Sequence, residues 1–143
     1  MKILLAVDGS KIALEAARQL IAHVGWFKEL PQVRVVTVHR PVPHVGGMSA
    51  MVSRQMLDQY YQDEGRKALE DTESLLKKAN VPFTSTVLVD DPATGICAEA
   101  RSAGSESIWM GARGMSAAAN MMLGSVATKV LHAATVPVTV VTR

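Results

Sequence analysis

A chain of 143 residues, 48% of them hydrophobic, has room for one domain and one sizeable core. The formal net charge of +2 and the 4% aromatic content supply neither the basic stripe nor the stacking platforms of a nucleic-acid binder. No apolar run reaches the roughly 18 residues of a membrane span, the start does not read as a signal peptide, and the single Cys97 has no disulfide partner, so a cytoplasmic setting without a membrane or nucleic-acid partner is expected.

In chain order, Lys2 to Val7 is short, continuous and apolar, as a buried parallel strand is. Ala13, Ala16, Ala17, Leu20, Ile21 and Val24 then recur at helical spacing, with Ser10 as the N-cap. Val33 to His39 is rich in β-branched residues and predicts a second strand. Arg40 to Ala50 holds prolines and glycines and predicts a loop. A long helix is predicted from Val52 to Ala79, with Asp63–Lys67 and Glu73–Lys77 pairs one turn apart. Phe83 to Val89 is the third strand, and Pro92 opens a helix through Ala103. Ser107 to Met110, a helix from Val126 to Ala134, and Val138 to Thr142 complete the alternation. Such a βα repeat predicts an α/β fold: a single-domain, doubly wound parallel sheet of five strands with helices on both faces.

Glycines gather where the fourth strand ends and the last helix begins: Gly111-Ala-Arg-Gly114, nine residues, then Gly124-Ser125. A helix N-terminus offers unpaired N–H groups and the positive end of its dipole, which suits a phosphate. Glycine permits close approach and φ > 0. Ser125 is placed to cap the helix or to bond a phosphate oxygen. From the glycines alone, a phosphate site and a bare connecting loop both remain open.

The spacing G-x2-G-x9-G-S resembles the nucleotide-binding signature of the universal stress protein (UspA) family. The opening Ile3 to Ser10, the stretch Asp91 to Ala100 and the closing Val130 to Val141 are similar to that family in the same order, so the resemblance spans residues 1–143 as one domain. It implies a Rossmann-like sheet in order 3-2-1-4-5, with the ligand crevice where that order reverses, between the first and fourth strands. It implies an ATP-binding regulatory module of the stress response, acting as a homodimer through the last strand. By position, the resemblance puts Asp8 at the ribose and a Mg²⁺, Val38 and Met110 at the adenine, and Gly111, Gly114, Gly124, Ser125 and Val126 at the phosphates. Arg113, inside the loop, adds a candidate charge-assisted phosphate contact.

The chain departs from the family pattern at Asp90, where many members have glycine, and at Trp109, where a small β-branched residue is usual. Ala117 to Ala119 add no basic residue to the loop. Met51, Met56, Met115, Met121 and Met122 fall in or beside the two longest loops and read as core filling or as a partner surface. Zinc spacing, a Walker A loop and a positioned Ser-His-Asp set are all missing, so no catalytic residue is assigned. Two readings compete with ATP binding: a protein-interaction module that keeps the fold without nucleotide, and a slow ATPase or phosphotransferase.

Overall fold

The structure, a computed structural model, describes residues 1–43, 53–115 and 122–142. Its strands are β1 (Lys2–Ala6), β2 (Gln32–His39), β3 (Phe83–Val89), β4 (Ser107–Gly111) and β5 (Val138–Val141). Between them lie α1 (Lys11–Ala22), α2 (Arg54–Lys78), α3 (Pro92–Ser102) and α4 (Ser125–Ala133), with a 3₁₀ turn at Val24–Trp26. All pairings are parallel, and the order is β3-β2-β1-β4-β5, as the resemblance implied.

Strand side chains alternate between two clusters, one on each face of the sheet. One joins Ile3, Leu5, Val33, Val35 and Trp109 to Ala13, Ala16, Ala17 and Leu20 of α1 and to Leu69 and Leu76 of α2. The other joins Leu4, Ala6, Val36, Ile108 and Met110 to Ile96 and Cys97 of α3 and to Ala127 and Val130 of α4. Helices therefore cover both faces. The room that Trp109 needs comes from the alanines on the inner face of α1, and the indole is only 7% exposed. Cys97 is buried, and that burial pushes its thiol up, so it acts as a small hydrophobe.

Gly65 explains how α2 lies so close to β3. A Cβ there would sit 2.4 Å and 2.6 Å from the two methyl carbons of Val87. Valine is stiff at χ1 and cannot swing aside. Gly65→Ala is expected to destabilise by about 1–2 kcal/mol, overpacking outweighing the better helix propensity of alanine. Urea denaturation of Gly65→Ala beside Gly65→Ala/Val87→Ala measures it; the second change should restore most of the loss.

Several local expectations change. The helices begin and end within about two residues of expectation, as boundaries do. The cap of α3 is Asp91, whose side chain accepts the Thr94 N–H. That bond, with Lys129 and Arg40 nearby, holds the Asp91 carboxyl below its usual range. Its stabilising share is complete above the ordinary carboxylate pKa and is lost as pH falls through the lowered value. Lys67 pairs with Glu64 rather than Asp63, which instead accepts from Gln59. Ser125 is not a cap: Gly124 occupies that position, and Ser125 is the first helical residue. Arg40 to Pro43 lack regular structure, and the rest of that predicted loop lies outside the described residues.

Candidate functional site

At the C-terminal ends of β1, β2 and β4, the strand order reverses and a crevice of about 560 Å³ opens, within the range of small-molecule sites. Its wall is apolar at Val38, Pro92, Ile96, Met110, Val126 and Ala127. Its other end is polar, at Asp8, Arg113, Gly114 and Ser125. All nine expected site residues, Asp8, Val38, Met110, Gly111, Arg113, Gly114, Gly124, Ser125 and Val126, line this one crevice. His39, Arg40, Pro92 and Ile96 line it too and were not among the expected site residues, because only the sheet brings them there.

The polar end is built by backbone. Ser10 Oγ caps α1, Ser53 Oγ caps α2 and Asp91 caps α3, but α4 has no side-chain cap. The amides of Ser125, Val126 and Ala127 belong to the first turn, where a helix supplies no internal acceptor. They carry the positive end of the dipole into the crevice. Two bonds pin this end in place: Gly124 N–H donates to Ala112 O at 2.7 Å, and Ala112 N–H donates to Val141 O at 2.7 Å.

Asp8 holds the other side. Its Oδ1 accepts the Ser10 N–H at 3.0 Å, and its Oδ2 accepts the Met115 N–H at 3.1 Å. The carboxylate thus ties the start of the glycine loop to the end of β1. Each oxygen keeps a lone pair for a ribose hydroxyl. The donor set for a metal is thin: among the described residues no three His, Cys, Asp or Glu gather as a metal group. A Mg²⁺ there fits only as an ion carried by phosphates, with Asp8 as its one carboxylate.

The loop glycines are explained by crowding and not by backbone conformation. Positive φ occurs at Gly9 and Gly104, and not at Gly111, Gly114 or Gly124. A Cβ on Gly111 would meet Ile12 Cγ2 at 2.7 Å, so that glycine lets β4 pack against α1. A Cβ on Gly114 would come within 2.8 Å of Asp8 Oδ2, inside the Asp8–Met115 clamp. Residues 116–121, including Ala117 to Ala119 and Met121, lie outside the described residues, as does Met51. Met56, Met115 and Met122 are exposed and do not fill the core. Asp90 does not line the crevice; its Oδ1 accepts the Asp91 N–H. Lys129 lies 3.8 Å from Asp91 while remaining largely exposed.

A second cleft of about 620 Å³ lies at the opposite end of the strands, beside Lys2, Gln32, Phe83 and Ser102. Arg34 fills part of it, bonding Glu99 at 2.8 Å and Thr84 at 3.2 Å. The helix end at the edge of this cleft is a C-terminus, that of α3 at Ser102 and Ala103.

Residues 1–142 match the Universal stress protein family. The chain belongs to that family. It is 32% identical over 143 residues to Universal stress protein MJ0531 of Methanocaldococcus jannaschii, covering 99% of this chain and 82% of that one. Universal stress protein YxiE of Bacillus subtilis is 30% identical over 148 residues, covering 98% and 97%. Among solved structures, that of the hypothetical protein MJ0577 superposes with a TM-score of 0.83 at 24% identity, covering 99% and 95%. More distant members of the fold were solved with nucleotides. A universal stress protein was solved with cAMP (TM-score 0.71, 19% identity, 99% and 96% covered). An Arabidopsis thaliana family protein holds AMP (0.67, 16%, 100% and 92%). The Archaeoglobus fulgidus protein was solved with dAMP (0.66, 23%, 99% and 97%).

Proposed function

We propose that this universal stress protein is an adenine-nucleotide-binding module that takes ATP, and that it serves as a small cytoplasmic regulatory unit of the stress response. The observation that carries the reading is the uncapped N-terminus of α4, directed into an apolar crevice at the point where strand order reverses. The related structures holding cAMP, AMP and dAMP support the same ligand class.

The base end favours adenine. The β1 side of β2 ends with the Val7 N–H bond to Val36 O. The amide and carbonyl of Val38, two residues on, project from the same side of β2 past the end of β1. Adenine matches them, its amino group donating to the carbonyl and a ring nitrogen accepting from the amide. Guanine presents the opposite polarity and leaves both groups mismatched. At the other end, the amides of α4 take the phosphates, Arg113 and Arg40 add positive charge, and Asp8 accepts a ribose hydroxyl. A Mg²⁺ arriving with ATP would neutralise phosphate charge beside Asp8.

Among the described residues that line the crevice, the groups able to take a proton are Asp8 and His39, and neither has a side-chain partner to orient it as a general base. Asp8 already accepts a backbone N–H on each oxygen, and His39 Nε2 is buried without a partner. Turnover is therefore expected to stay below about one per second, the lower range of working enzymes. Calorimetry tests the binding. ATP with Mg²⁺ should saturate at micromolar to low millimolar concentration, about −8 to −4 kcal/mol, and GTP more weakly. Absence of heat and of thermal stabilisation at millimolar ATP would reject it. That result would favour instead a protein-interaction module, for which the exposed Met56, Met115 and Met122 are the supporting feature.

The same reading includes a homodimer through β5. The Ile108 N–H bonds Pro137 O and the Ala112 N–H bonds Val141 O, so alternate carbonyls face β4 while those of Val138 and Val140 face away. β5 is a sheet edge without charge, open to antiparallel pairing with its copy. The Val140 side chain packs on the α3–α4 cluster, so a lysine there would damage the monomer. Val140→Pro removes an outward N–H while keeping an apolar side chain toward that cluster. Sedimentation equilibrium should give twice the chain mass for the native protein and a shift toward one chain mass for the variant. A native monomer at tens of micromolar would contradict the dimer.

A further inference from the structure

The end of the molecule opposite the crevice carries a feature that nucleotide binding does not use. In the 3₁₀ turn after α1, Val24 and Phe27 share one face, as residues three apart do in such a turn, and both pack on the α1–α2 core. Trp26 is thereby turned outward and is 77% exposed. Its ring rests edge-on against His23, with centroids 3.9 Å apart. Leu30, four residues on, is 53% exposed. The last turn of α2 packs on the same cluster through Leu75 and Ala79, which brings the exposed Lys77 and Lys78 to this end. Lys28 lies between Trp26 and Leu30 in sequence, and Lys2 pairs in register with Gln32. The acidic groups among them are Glu29, Glu106, which accepts the Lys2 backbone N–H, and Glu73, one turn before Lys77 on α2; Glu99, in the cleft beside Lys2, is paired with Arg34.

We propose that this pole, with Trp26 and Leu30 at its centre and Lys2, Lys28, Lys77 and Lys78 around them, docks on an anionic lipid bilayer. An indole set among lysines matches the bilayer boundary, where the ring enters the headgroup layer and the ammonium groups meet lipid phosphates. The four flanking lysines outnumber Glu29, Glu73 and Glu106, so the charge complements an anionic leaflet and not a neutral one. Apolar insertion and a basic surround are the pair of signals that reversible peripheral attachment uses. The absence of a span in the sequence concerns crossing a membrane, and among the described residues no helix is long and apolar enough to do so. Surface contact needs only this pole. Its distance from the crevice leaves the nucleotide site free while the protein is docked.

Trp26 also reports the contact, because the other tryptophan, Trp109, is buried. The full-length protein is mixed with phosphatidylcholine vesicles with or without phosphatidylglycerol, then sedimented while tryptophan emission is recorded. Sedimentation with a blue shift is expected on the anionic vesicles alone, weakening as salt is raised. Trp26→Ser should lower the bound fraction about tenfold, and Lys77→Glu/Lys78→Glu by more than tenfold, at roughly fivefold per lysine lost. Both variants touch exposed side chains only, and circular dichroism checks that they remain folded. No preference for anionic vesicles, no blue shift, or undiminished binding by Trp26→Ser would each overturn the proposal.

Discussion

Gly124→Val should lower ATP affinity at least about a hundredfold, close to 3 kcal/mol, while circular dichroism stays near that of the native protein. Gly124 is the N-cap of α4, and its φ of −78° is open to any residue. What restricts it is space. A Cβ would lie 3.3 Å from Ala112 O and 3.3 Å from Arg113 Cα, both backbone atoms that cannot rotate away. Alanine is tight there; the extra methyl groups of valine must drive α4 away from the loop. The Gly124–Ala112 bond then lengthens, and the amides of Ser125 to Ala127 no longer converge on one phosphate. Several charge-assisted bonds weaken together, which is why the loss exceeds that of a single hydrogen bond. Gly124→Ala should fall between the two. Unchanged affinity in the valine variant, measured by calorimetry, would remove the α4 N-terminus from the site.

Trp109→Ala should cost about 3–5 kcal/mol, a large share of the roughly 5–15 kcal/mol that stabilises an ordinary domain. The indole is buried in the cluster that holds the α1 alanines and Val141, side chains too short to fill the void it would leave. A urea midpoint that falls with an unchanged slope would show this as lost stability of the same fold. Trp109→Phe keeps most of the volume and should lose much less. A cost below about 1 kcal/mol would mean that the site collapses freely, against the close packing described.

Much of this architecture is legible locally. Ile3 to Val7 is uniformly apolar because both faces of β1 are buried, and Ser10 marks the start of α1 because its hydroxyl satisfies the Ala13 N–H. Strand order is not local; it follows from which faces bury together, and only the resemblance supplied it. The site shows the same division. The glycine spacing located the loop, but the reason for Gly111 is Ile12, on a helix about a hundred residues earlier in the chain. The clamp between Asp8 and Met115 spans 107 residues and has no signature in sequence. The pairing of Arg40 and Lys129 with Asp91 was invisible for the same reason, and Arg40 adds positive charge at the crevice beside that of Arg113 in the loop. Ser125 misled because a serine at a helix start usually caps; here the backbone of Gly124 takes that place and leaves the α4 amides open.

The most direct test is an amide-resolved titration of isotopically labelled protein with ATP and Mg²⁺. The account predicts saturable shifts at Val38, Ser125, Val126 and Ala127, sharing one dissociation constant, with Gln32 and Phe83 at the opposite end unmoved. Absence of shifts at millimolar ATP, or shifts centred on the cleft beside Arg34 and Glu99, would contradict it.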